Sequence, residues 1–559
     1  MKIKKVSLLN DFLILIVSWF LYNCQPSEPK YDPQDGLDSF TEAGMESNLK
    51  TLASDELMGR MPFTEGETKT IAYLQDEIKK LGLEPGNVDS YLQEVPMVEI
   101  TTETSSSMKV KSAKSEFILE GLNDYVLWTQ RPEQEDIKLE NEELVFAGYG
   151  VVAPEKNWND YAGLDVKGKI VLVLVKDPDF GTSDSTFKGN TMTYYGRWTY
   201  KFEEAARQGA KGCIIVHDDV PSGYGFWVVQ NSWNTSKLYL DLRGKDTYFC
   251  STVGWVSQPA AKKLFEAAGI DYAGALSRAH KKGFTPEPMN LKLSTSMKVK
   301  ARYAMSYNVI AKITGVKQPD EYVVYSTHWD HLGIGKADEK GDTIYNGAHD
   351  NASGSAGQLE IAKAFTTLKN KSARTVVFLW VTAEEQGLWG SAYYAQNPVY
   401  PKEKTVANIN IDGINPYGKS KDIVLVGMGQ SELEDYLIDE AGRVGRYVSP
   451  EPNPVAGYYF RSDHFNFAKV GIPALYTNVG TDDLEKGKEY GKQLQDDYVA
   501  KHYHKPSDEF TPELWKLDGA IDDLKLLFNV GKRISMEQTW PQWKATSEFK
   551  PIRDAYMKK

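Results

Sequence analysis

Apolar and polar positions alternate in two different rhythms along the chain. In the first part, apolar residues recur at helical spacing over 71–81, and Gly82 follows as a typical helix stop. Short β-rich runs and one more helical stretch come next, at 144–150, 168–175, 198–207 (helical) and 213–216. This mixture predicts a compact α/β module in the middle of the chain. The Ser/Thr/Lys-rich stretch 101–114 is expected to cross between units.

After about residue 300 the rhythm changes to short, nearly continuous apolar runs separated by helix-like segments. The runs are 308–313, 321–326, 375–381, 406–411 and 423–427, and a helix is predicted over 356–368. This alternation indicates a mainly parallel sheet that is buried on both faces. Ligands of such sheets bind at the carboxyl ends of the strands, so functional side chains are expected directly after these runs.

Histidines and carboxylates do follow these predicted strands. They are His328 and Asp330 after 321–326, Asp350 in the loop 346–354, Glu384 and Glu385 after 375–381, Asp412 after 406–411, and His504 closer to the C-terminus. Two adjacent carboxylates at the end of a buried strand repel each other unless a cation or a proton separates their roles. Imidazole and carboxylate ligands suit Zn²⁺ and related ions, and this set is large enough for two ions that share one carboxylate.

Composition narrows the class of protein. Hydrophobic residues make up 41% and charged residues 25% of the 559 positions, as in ordinary soluble globular proteins. The net charge is −12, from 65 basic and 77 acidic residues, which argues against a nucleic-acid partner. Three cysteines exclude a disulfide scaffold. Whether Cys213 and Cys250 pair stays open at this point, because their spacing alone does not decide it.

The N-terminus has the pattern of an export signal. Lysines at positions 2, 4 and 5 precede an apolar stretch over 12–21, which is half of the roughly 20 residues that a spanning helix needs but fits a secretory signal. Cys24 follows directly, as in bacterial lipoprotein signals, where this cysteine is lipidated; an ordinary cleaved signal is the alternative. We expect a periplasmic or cell-surface protein whose membrane contact is limited to a lipid anchor at Cys24.

Five segments, in order, resemble the di-zinc exopeptidases of clan MH, typified by secreted bacterial leucyl aminopeptidases. They are His328-Trp-Asp, His349-Asp-Asn-Ala-Ser-Gly, Ala383-Glu-Glu-Gln-Gly, Asn410-Ile-Asp-Gly and Tyr503-His-Lys-Pro-Ser-Asp. The segment 52–60 is similar to the opening of that family. Residues 144–216 resemble a protease-associated (PA) domain, which some members carry as an insertion.

The resemblance implies a phosphorylase/hydrolase-like α/β fold, with a mainly parallel sheet flanked by helices and an inserted α/β PA domain. The implied division is a signal peptide over 1–24, a first part of the peptidase domain over 25–109, the PA domain over 110–298, the main part of the peptidase domain over 299–545, and a tail over 546–559.

The resemblance also implies two Zn²⁺ ions per chain. His328, Asp350 and Asp412 would bind one ion, and Asp350, Glu385 and His504 the other, so that Asp350 bridges. Glu384 would be the general base toward a metal-bridging water, Tyr503 would polarise the scissile carbonyl, Asp330 would orient His328, and the peptide bond after Asp350 would be cis. His349 stands where the family commonly has Asp or Asn, which leaves it as an alternative ligand.

Arg461, Asp463 and His464 lie in a loop rich in Gly, Tyr and Phe. This loop is expected to line the substrate pocket, with a capped helix start as the alternative reading.

The function that follows is a metal-dependent aminopeptidase that hydrolyses the N-terminal bond of peptides. A metallocarboxypeptidase of the glutamate carboxypeptidase type is one alternative, but it would need an arginine-rich pocket, for which only Arg461 stands out. A glutaminyl cyclase would use a single zinc ion. A non-catalytic, receptor-like binding protein is disfavoured because all the expected ligands and Glu384 are present.

Overall fold

The computed structural model describes residues 30–245 and 247–558. The predicted signal segment and Cys24 therefore lie outside the described residues. None of the helices in the described part combines the length and the apolar character of a membrane span. Cys213 and Cys250 are both buried as free thiols, so the pairing that the sequence left open does not occur in this structure.

Strands and helices alternate along the described chain. The strands are β1 Glu84–Pro85, β2 Leu92–Thr104, β3 Ser107–Lys111, β4 Glu116–Glu120, β5 Tyr125–Trp128, β6 Asp136–Phe146, β7 Val152–Ala153, β8 Trp158–Asn159, β9 Ile170–Leu174, β10 Gly212–Val216, β11 Ser236–Leu240, β12 Thr252–Val256, β13 Glu287–Ile313, β14 Gln318–His328, β15 Gly333–Ile334, β16 Ile344–Tyr345, β17 Arg374–Val381, β18 Thr405–Asn410, β19 Asp422–Leu425, β20 Tyr447–Pro450 and β21 Ala474–Asn478. The helices are α1 Glu42–Leu52, α2 Glu65–Lys80, α3 Trp198–Arg207, α4 Asp219–Ser222, α5 Phe226–Gln230, α6 Gln258–Ala268, α7 Tyr272–Ala279, α8 Ser353–Thr366, α9 Trp389–Gln396, α10 Leu433–Arg443, α11 His464–Lys469, α12 Lys488–Lys501, α13 Leu517–Met536 and α14 Lys550–Met557.

A mainly parallel sheet forms the centre of the C-terminal half. Its strand order is β13, β17, β14, β18, β21, β19 and β20, and the pairings β17–β14, β14–β18, β18–β21 and β19–β20 are parallel. Every residue of β17 and β18 is buried, which explains why these strands read as continuous apolar runs.

Both faces of this sheet are covered by helices. Along β17, Phe378 and Trp380 belong to the cluster on one face, which includes residues of α1, α8 and α13. Leu379 and Val381 belong to the cluster on the other face, together with Tyr394 of α9 and others from α11. Because successive side chains of a strand point to opposite faces, one strand contributes to both clusters. The predicted fold class, a helix-flanked and mainly parallel sheet, is therefore confirmed.

Most of the predicted elements are confirmed, and one is wrong. The helical stretch 198–207 coincides with α3, and 71–80 of the stretch 71–81 lies in α2. Leu81 caps α2, and Gly82 follows with a φ of +71°. The stretch 101–114 is not a simple crossing, because β2 and β3 occupy most of it and pair with β13. Its Ser and Lys residues occupy strand positions whose neighbours on the other face, such as Val110, are buried.

The middle of the chain has its own hydrophobic core. One cluster contains residues from Val98 to Val299, whereas a second contains residues from Phe40 to Leu83 together with residues from Val309 to Met536. The outer parts of the chain thus share one core, and the middle module interrupts them. The 27-residue strand β13 connects the two, because its first part pairs with β6 and its last part with β17. The expected domain limits at 110 and 298 stay predictions.

A buried arginine fastens the N-terminal segment to the loops that follow the central strands. The guanidinium of Arg60 donates hydrogen bonds to four backbone carbonyls, those of Leu52 (2.6 Å), Trp329 (2.9 Å), Asn346 (2.6 Å) and Gly347 (3.0 Å). Burial lowers the pKa of Arg60 to about 10, with nearby carboxylates opposing the shift, so the group stays charged at neutral pH. The segment 52–60, which the motif reading singled out, therefore holds two loops at the edge of the sheet.

We expect Arg60→Ala to lower the free energy of unfolding by at least about 3 kcal/mol, because several buried carbonyls would lose their donors. Denaturant unfolding of the full chain measures this change. The matched control is Arg243→Ala, since the exposed side chain of Arg243 contacts Asp241 and the face of Tyr303 but donates no hydrogen bond to a buried carbonyl among the described residues. A loss at Arg60 no larger than the loss at Arg243 would contradict the anchoring role.

Candidate active site

Six of the predicted site residues meet at the carboxyl edge of the central sheet. His328 is the last residue of β14, Glu384 and Glu385 follow β17, and Asp412 follows β18. Asp350 lies in the turn before α8, and His504 lies three residues after α12. Because β14, β17 and β18 are parallel neighbours, their carboxyl ends bring together side chains that are far apart in sequence.

Asp350 stands between two histidines. Its Oδ1 lies 3.3 Å from Nε2 of His328, and its Oδ2 lies 3.2 Å from Nε2 of His504. The peptide bond that joins Asp350 to Asn351 is cis, as the resemblance implied. Each oxygen of this one carboxylate thus faces a different imidazole, which is the arrangement expected of a bridging ligand.

Two groups of ligand atoms lie on either side of Asp350. On one side, Nε2 of His328 is 3.2 Å from Oδ1 of Asp412 and 4.0 Å from Oε2 of Glu384. On the other side, Nε2 of His504 is 3.0 Å from Oε2 of Glu385. Two sets of three residues have possible ligand atoms that all lie within 4.8 Å of one another. One set is His328, Glu384 and Asp412, and the other is His331, Asp350 and Glu385.

The pKa values of the two adjacent glutamates, Glu384 and Glu385, are shifted in opposite directions. Burial raises the pKa of Glu384 well above its ordinary value, with His328 opposing the shift. Burial and Asp350 would also raise the pKa of Glu385, but His504 and His331 outweigh them and hold it at about 2. Neighbouring carboxyl groups whose pKa values differ in this way are suited to different chemical roles.

Neighbouring charges also shift the pKa values of His328 and Asp350. Burial would lower the pKa of His328, but Glu384 and Asp412 outweigh it, so the pKa lies well above its ordinary value. Burial would raise the pKa of Asp350, but hydrogen bonds from His328 and His504 hold it well below its ordinary value. The carboxylates thus favour the charged form of His328, and the histidines favour the charged form of Asp350.

The donor set fits divalent cations. Four carboxylates converge at this edge, and among the described residues their only ion-pair partners are histidines. Such crowding of like charges is unfavourable without a cation, and mixed imidazole and carboxylate donors are those that Zn²⁺ takes in catalytic sites. The residues present could hold two such ions, with Asp350 between them.

Asp330 holds the backbone of Glu384 and Glu385 in place. The carboxylate of Asp330 accepts hydrogen bonds from the amides of Glu384 (3.0 Å) and Glu385 (3.4 Å). Its Oδ1 lies 3.7 Å from Nδ1 of His328, whereas the backbone carbonyl of Asp330 is closer, at 3.1 Å. Asp330 thus contacts His328 as expected, mainly through its backbone, and it also orients the two glutamates, which the sequence did not indicate.

Three further residues support the site without having been predicted to do so. Asp508 accepts hydrogen bonds from the amides of His349 (3.0 Å) and Asp350 (3.2 Å). The side chain of Asn351 donates to Oγ1 of Thr327 and accepts from Gly413, joining the ends of β14 and β18. His331 is fully buried, and its Nδ1 lies 2.5 Å from Oε1 of Glu385. The repeat of His at positions 328 and 331 was the available signal for His331.

The remaining predicted residues lie around this centre. Tyr503 is 44% exposed, and its ring stacks on His504 with the centroids 3.8 Å apart. His349 is half-buried, and the centre of its ring lies 4.5 Å from the centre of the Tyr498 ring.

Of the three expected pocket residues, only Arg461 is partly exposed. Asp463 and His464 are completely buried. They therefore pack beneath the loop and do not line an open cavity, contrary to the prediction. Asp463 accepts a hydrogen bond from Ser391, and the ring of His464 stacks on Tyr476.

Comparison with known proteins identifies two segments of the chain. Residues 308–528 match the model of peptidase family M28, and residues 141–238 match that of the PA domain. An aminopeptidase from Pseudomonas aeruginosa is 30% identical over 351 residues, which cover 58% of this chain and 56% of that protein. A probable zinc metalloprotease from Pyricularia oryzae is 39% identical over 107 residues, 19% of each protein. The alignments thus span between 19% and 56% of these relatives' lengths.

Among solved structures, an aminopeptidase from Aneurinibacillus sp. strain AM-1 aligns with a TM-score of 0.49 and 19% identity, over 92% of this chain and 97% of that one. The two family matches include the five motif segments between His328 and Asp508 and the segment 144–216. The PA segment belongs to the core of the middle module, which lies in sequence between the two parts of the other core. Residues 308–528 of this chain are therefore a peptidase domain of family M28, and residues 141–238 are a PA domain.

Proposed function

We propose that this protein is a zinc-dependent aminopeptidase that removes N-terminal residues from peptides. The observation that carries the proposal is the position of Asp350, whose two carboxylate oxygens face His328 and His504 at 3.3 and 3.2 Å. The names of relatives, such as the Pseudomonas aeruginosa aminopeptidase, support the same activity. Two Zn²⁺ ions would be held by His328, Asp350 and Asp412 on one side and by Asp350, Glu385 and His504 on the other.

When bound, such ions supply the Lewis acidity that activates water and polarises a carbonyl group. Glu384 acts as general base in this proposal: its carboxylate lies at the edge of the site, 4.0 Å from His328. It accepts a proton from the attacking water and delivers that proton to the leaving amine. Asp330 keeps Glu384 in place through the hydrogen bond to its backbone amide.

Tyr503 is positioned for a third role. Its partly exposed side chain stacks on His504, so a substrate carbonyl that approaches the centre passes close to the phenol. We infer that the hydroxyl donates a hydrogen bond to the oxygen on which negative charge develops, which is the general basis of oxyanion stabilisation.

Export and lipid attachment form the second part of the proposal. The basic residues, the short apolar stretch and Cys24 support it. If Cys24 carries the lipid, Cys24→Ser releases the protein from the membrane fraction of the producing bacterium without reducing its activity, and fractionation followed by a peptidase assay measures both. Retention of Cys24→Ser in the membrane fraction would contradict the anchor.

We expect the protein to require a free α-amino group. Leucine p-nitroanilide should be hydrolysed at least about a hundredfold faster than N-acetyl-leucine p-nitroanilide, since a site that binds an amine leaves its polar groups unpaired when the amine is blocked. The ratio of kcat/KM values for the two substrates measures this requirement. Equal rates would refute an aminopeptidase and favour an endopeptidase or a carboxypeptidase.

Two matched glutamate variants separate the base from the ligand. Glu384→Gln should lower kcat by about 10²–10⁴-fold while leaving the zinc content unchanged, because Glu384 is assigned as base and not as ligand. Glu385→Gln should lower the zinc content as well as the activity. Metal analysis of the dialysed variants distinguishes the two, and a lower zinc content in Glu384→Gln would show instead that Glu384 binds a metal ion.

A further inference from the structure

The first described segment of the chain is fixed at the edge of the central sheet that lies opposite the candidate active site. The carboxylate of Asp35 accepts hydrogen bonds from the backbone amides of Lys369 (3.0 Å) and Asn370 (3.2 Å). These two residues lie between the end of α8 and the start of β17, whereas Glu384 and Glu385 follow the other end of β17. Asp35 is therefore held at the amino edge of the sheet.

A buried lysine of α13 fastens the same segment. Nζ of Lys532 donates hydrogen bonds to the backbone carbonyls of Asp32 (2.8 Å) and Asp35 (2.7 Å). The backbone at Gly36, where φ is +86°, passes so close to Phe528 that an added Cβ would lie 2.8 Å from the end of its ring. Residues 32–36 are therefore part of the folded domain and do not form a free linker.

The two edges of the sheet are far apart. Asp350 lies three residues before the start of α8, and Lys369, whose amide binds Asp35, lies three residues after its end. The 14 residues of α8 correspond to a length of about 21 Å, and the 8 residues of β17 to about 26 Å. The fixed segment and the candidate metal ligands thus stand on opposite sides of the peptidase domain.

The chain between this segment and the lipid-attachment residue is short. Cys24 lies six positions before Lys30, the first described residue, and six residues span at most about 20 Å even when fully extended. If Cys24 carries a lipid, Lys30 stays within that distance of the membrane surface. Turning the carboxyl edge of the sheet toward the lipid would require this tether to reach around the whole domain, which is farther than the distance across its sheet.

The surface beside the fixed segment is made of short exposed loops that precede the strands. Val316 is 60% exposed, and Lys317, Lys369 and Lys371 are also exposed. The amide of Val316 donates to the carbonyl of Ser372 at 3.0 Å, so the loops 316–317 and 369–371 lie side by side. We call Val316, Lys317, Lys369 and Lys371 the amino-edge surface.

The charges on this side are mixed. Within the described part of the chain, none of the three lysines of the amino-edge surface forms an ion pair with a carboxylate, and free ammonium groups are attracted to anionic lipid headgroups. Exposed carboxylates of Asp32 and Asp38 stand next to the fixed segment. The short tether, more than the net charge, therefore sets which side meets the membrane.

We propose that the amino-edge surface faces the phospholipid membrane to which Cys24 is attached, and that the candidate active site faces away from that membrane. This inference rests on the lipid attachment in the proposed function. Substrates consequently reach the site from the aqueous side, and amino termini that are held at the same membrane surface lie beyond its reach.

Fluorescence quenching on the lipidated full chain tests this orientation. Lys317→Cys places a dye on the amino-edge surface, and Lys340→Cys places one on the exposed loop between β15 and β16, which precedes the Asp350 turn. Cys213 and Cys250 are buried, so the unmodified protein is the control for labelling. In vesicles of phosphatidylethanolamine and phosphatidylglycerol with a quencher on the headgroups, the dye at 317 should lose most of its fluorescence and the dye at 340 should keep most of it. Equal quenching, or stronger quenching at 340, would overturn the orientation.

Two changes in the tether show whether it causes the orientation. Cys24→Ser should abolish quenching at position 317, because the protein no longer attaches to the vesicle. Insertion of about 20 Gly and Ser residues between Glu28 and Pro29 should reduce the difference between the two positions, since a long flexible linker lets the domain turn. Quenching that persists in Cys24→Ser, or a difference that the insertion leaves unchanged, would overturn the tether as its cause.

The outcomes separate this inference from the proposed function. Unmodified protein that does not sediment with the vesicles would overturn the lipid anchor and the orientation together. Protein that sediments but is quenched equally at both positions would overturn the orientation alone. Hydrolysis of leucine p-nitroanilide by the labelled, vesicle-bound proteins reports the peptidase separately, since neither labelled position belongs to the candidate active site.

Discussion

The repulsion among four carboxylates at one edge of a sheet is the constraint around which this protein is built. Asp350, Glu384, Glu385 and Asp412 would not stay ionised together in a buried space without positive charge between them. Histidines on both sides of Asp350 supply part of that charge in the structure, and divalent cations would supply the rest. The surrounding loops are held by hydrogen bonds that Asp330, Asn351 and Asp508 accept from backbone amides and that Arg60 donates to backbone carbonyls.

The insertion of the PA domain adds a second level of organisation. Strand β13 contributes residues to both cores, so one continuous strand connects the two domains, in addition to a contact between loops. A turn of the PA domain packs on the peptidase loop 454–461: the amide of Met192 donates to the carbonyl of Pro454 at 3.2 Å, and the Tyr194 and Phe460 ring centres lie 6.3 Å apart.

The central sheet could be predicted from sequence because burial on both faces leaves a clear pattern. The strands β14, β17 and β18 appear in the sequence as apolar runs. The histidine and carboxylate residues at their carboxyl ends stand out because they are of the types that bind metal ions. Asp350 was indicated by its motif, and the cis bond by resemblance alone. The strands within 101–114 could not be recognised, because their Ser and Lys residues hide a half-buried strand.

The supporting contacts also had no sequence signal of their own. Asp508 accepts hydrogen bonds from backbone amides that lie more than 150 residues away in the sequence. Arg60 donates to backbone carbonyls, which every residue type has, so the sequence gives no sign of these partners. Asp463 and His464 looked like pocket residues because polar residues in aromatic loops often are, but their loop folds inward and buries them.

Anomalous X-ray diffraction from zinc-loaded crystals at the zinc absorption edge tests the central claim most directly. The account predicts two peaks per chain, one beside His328 and Asp412 and the other beside Glu385 and His504, with Asp350 between them. A single peak, or two peaks that do not share Asp350, would contradict it.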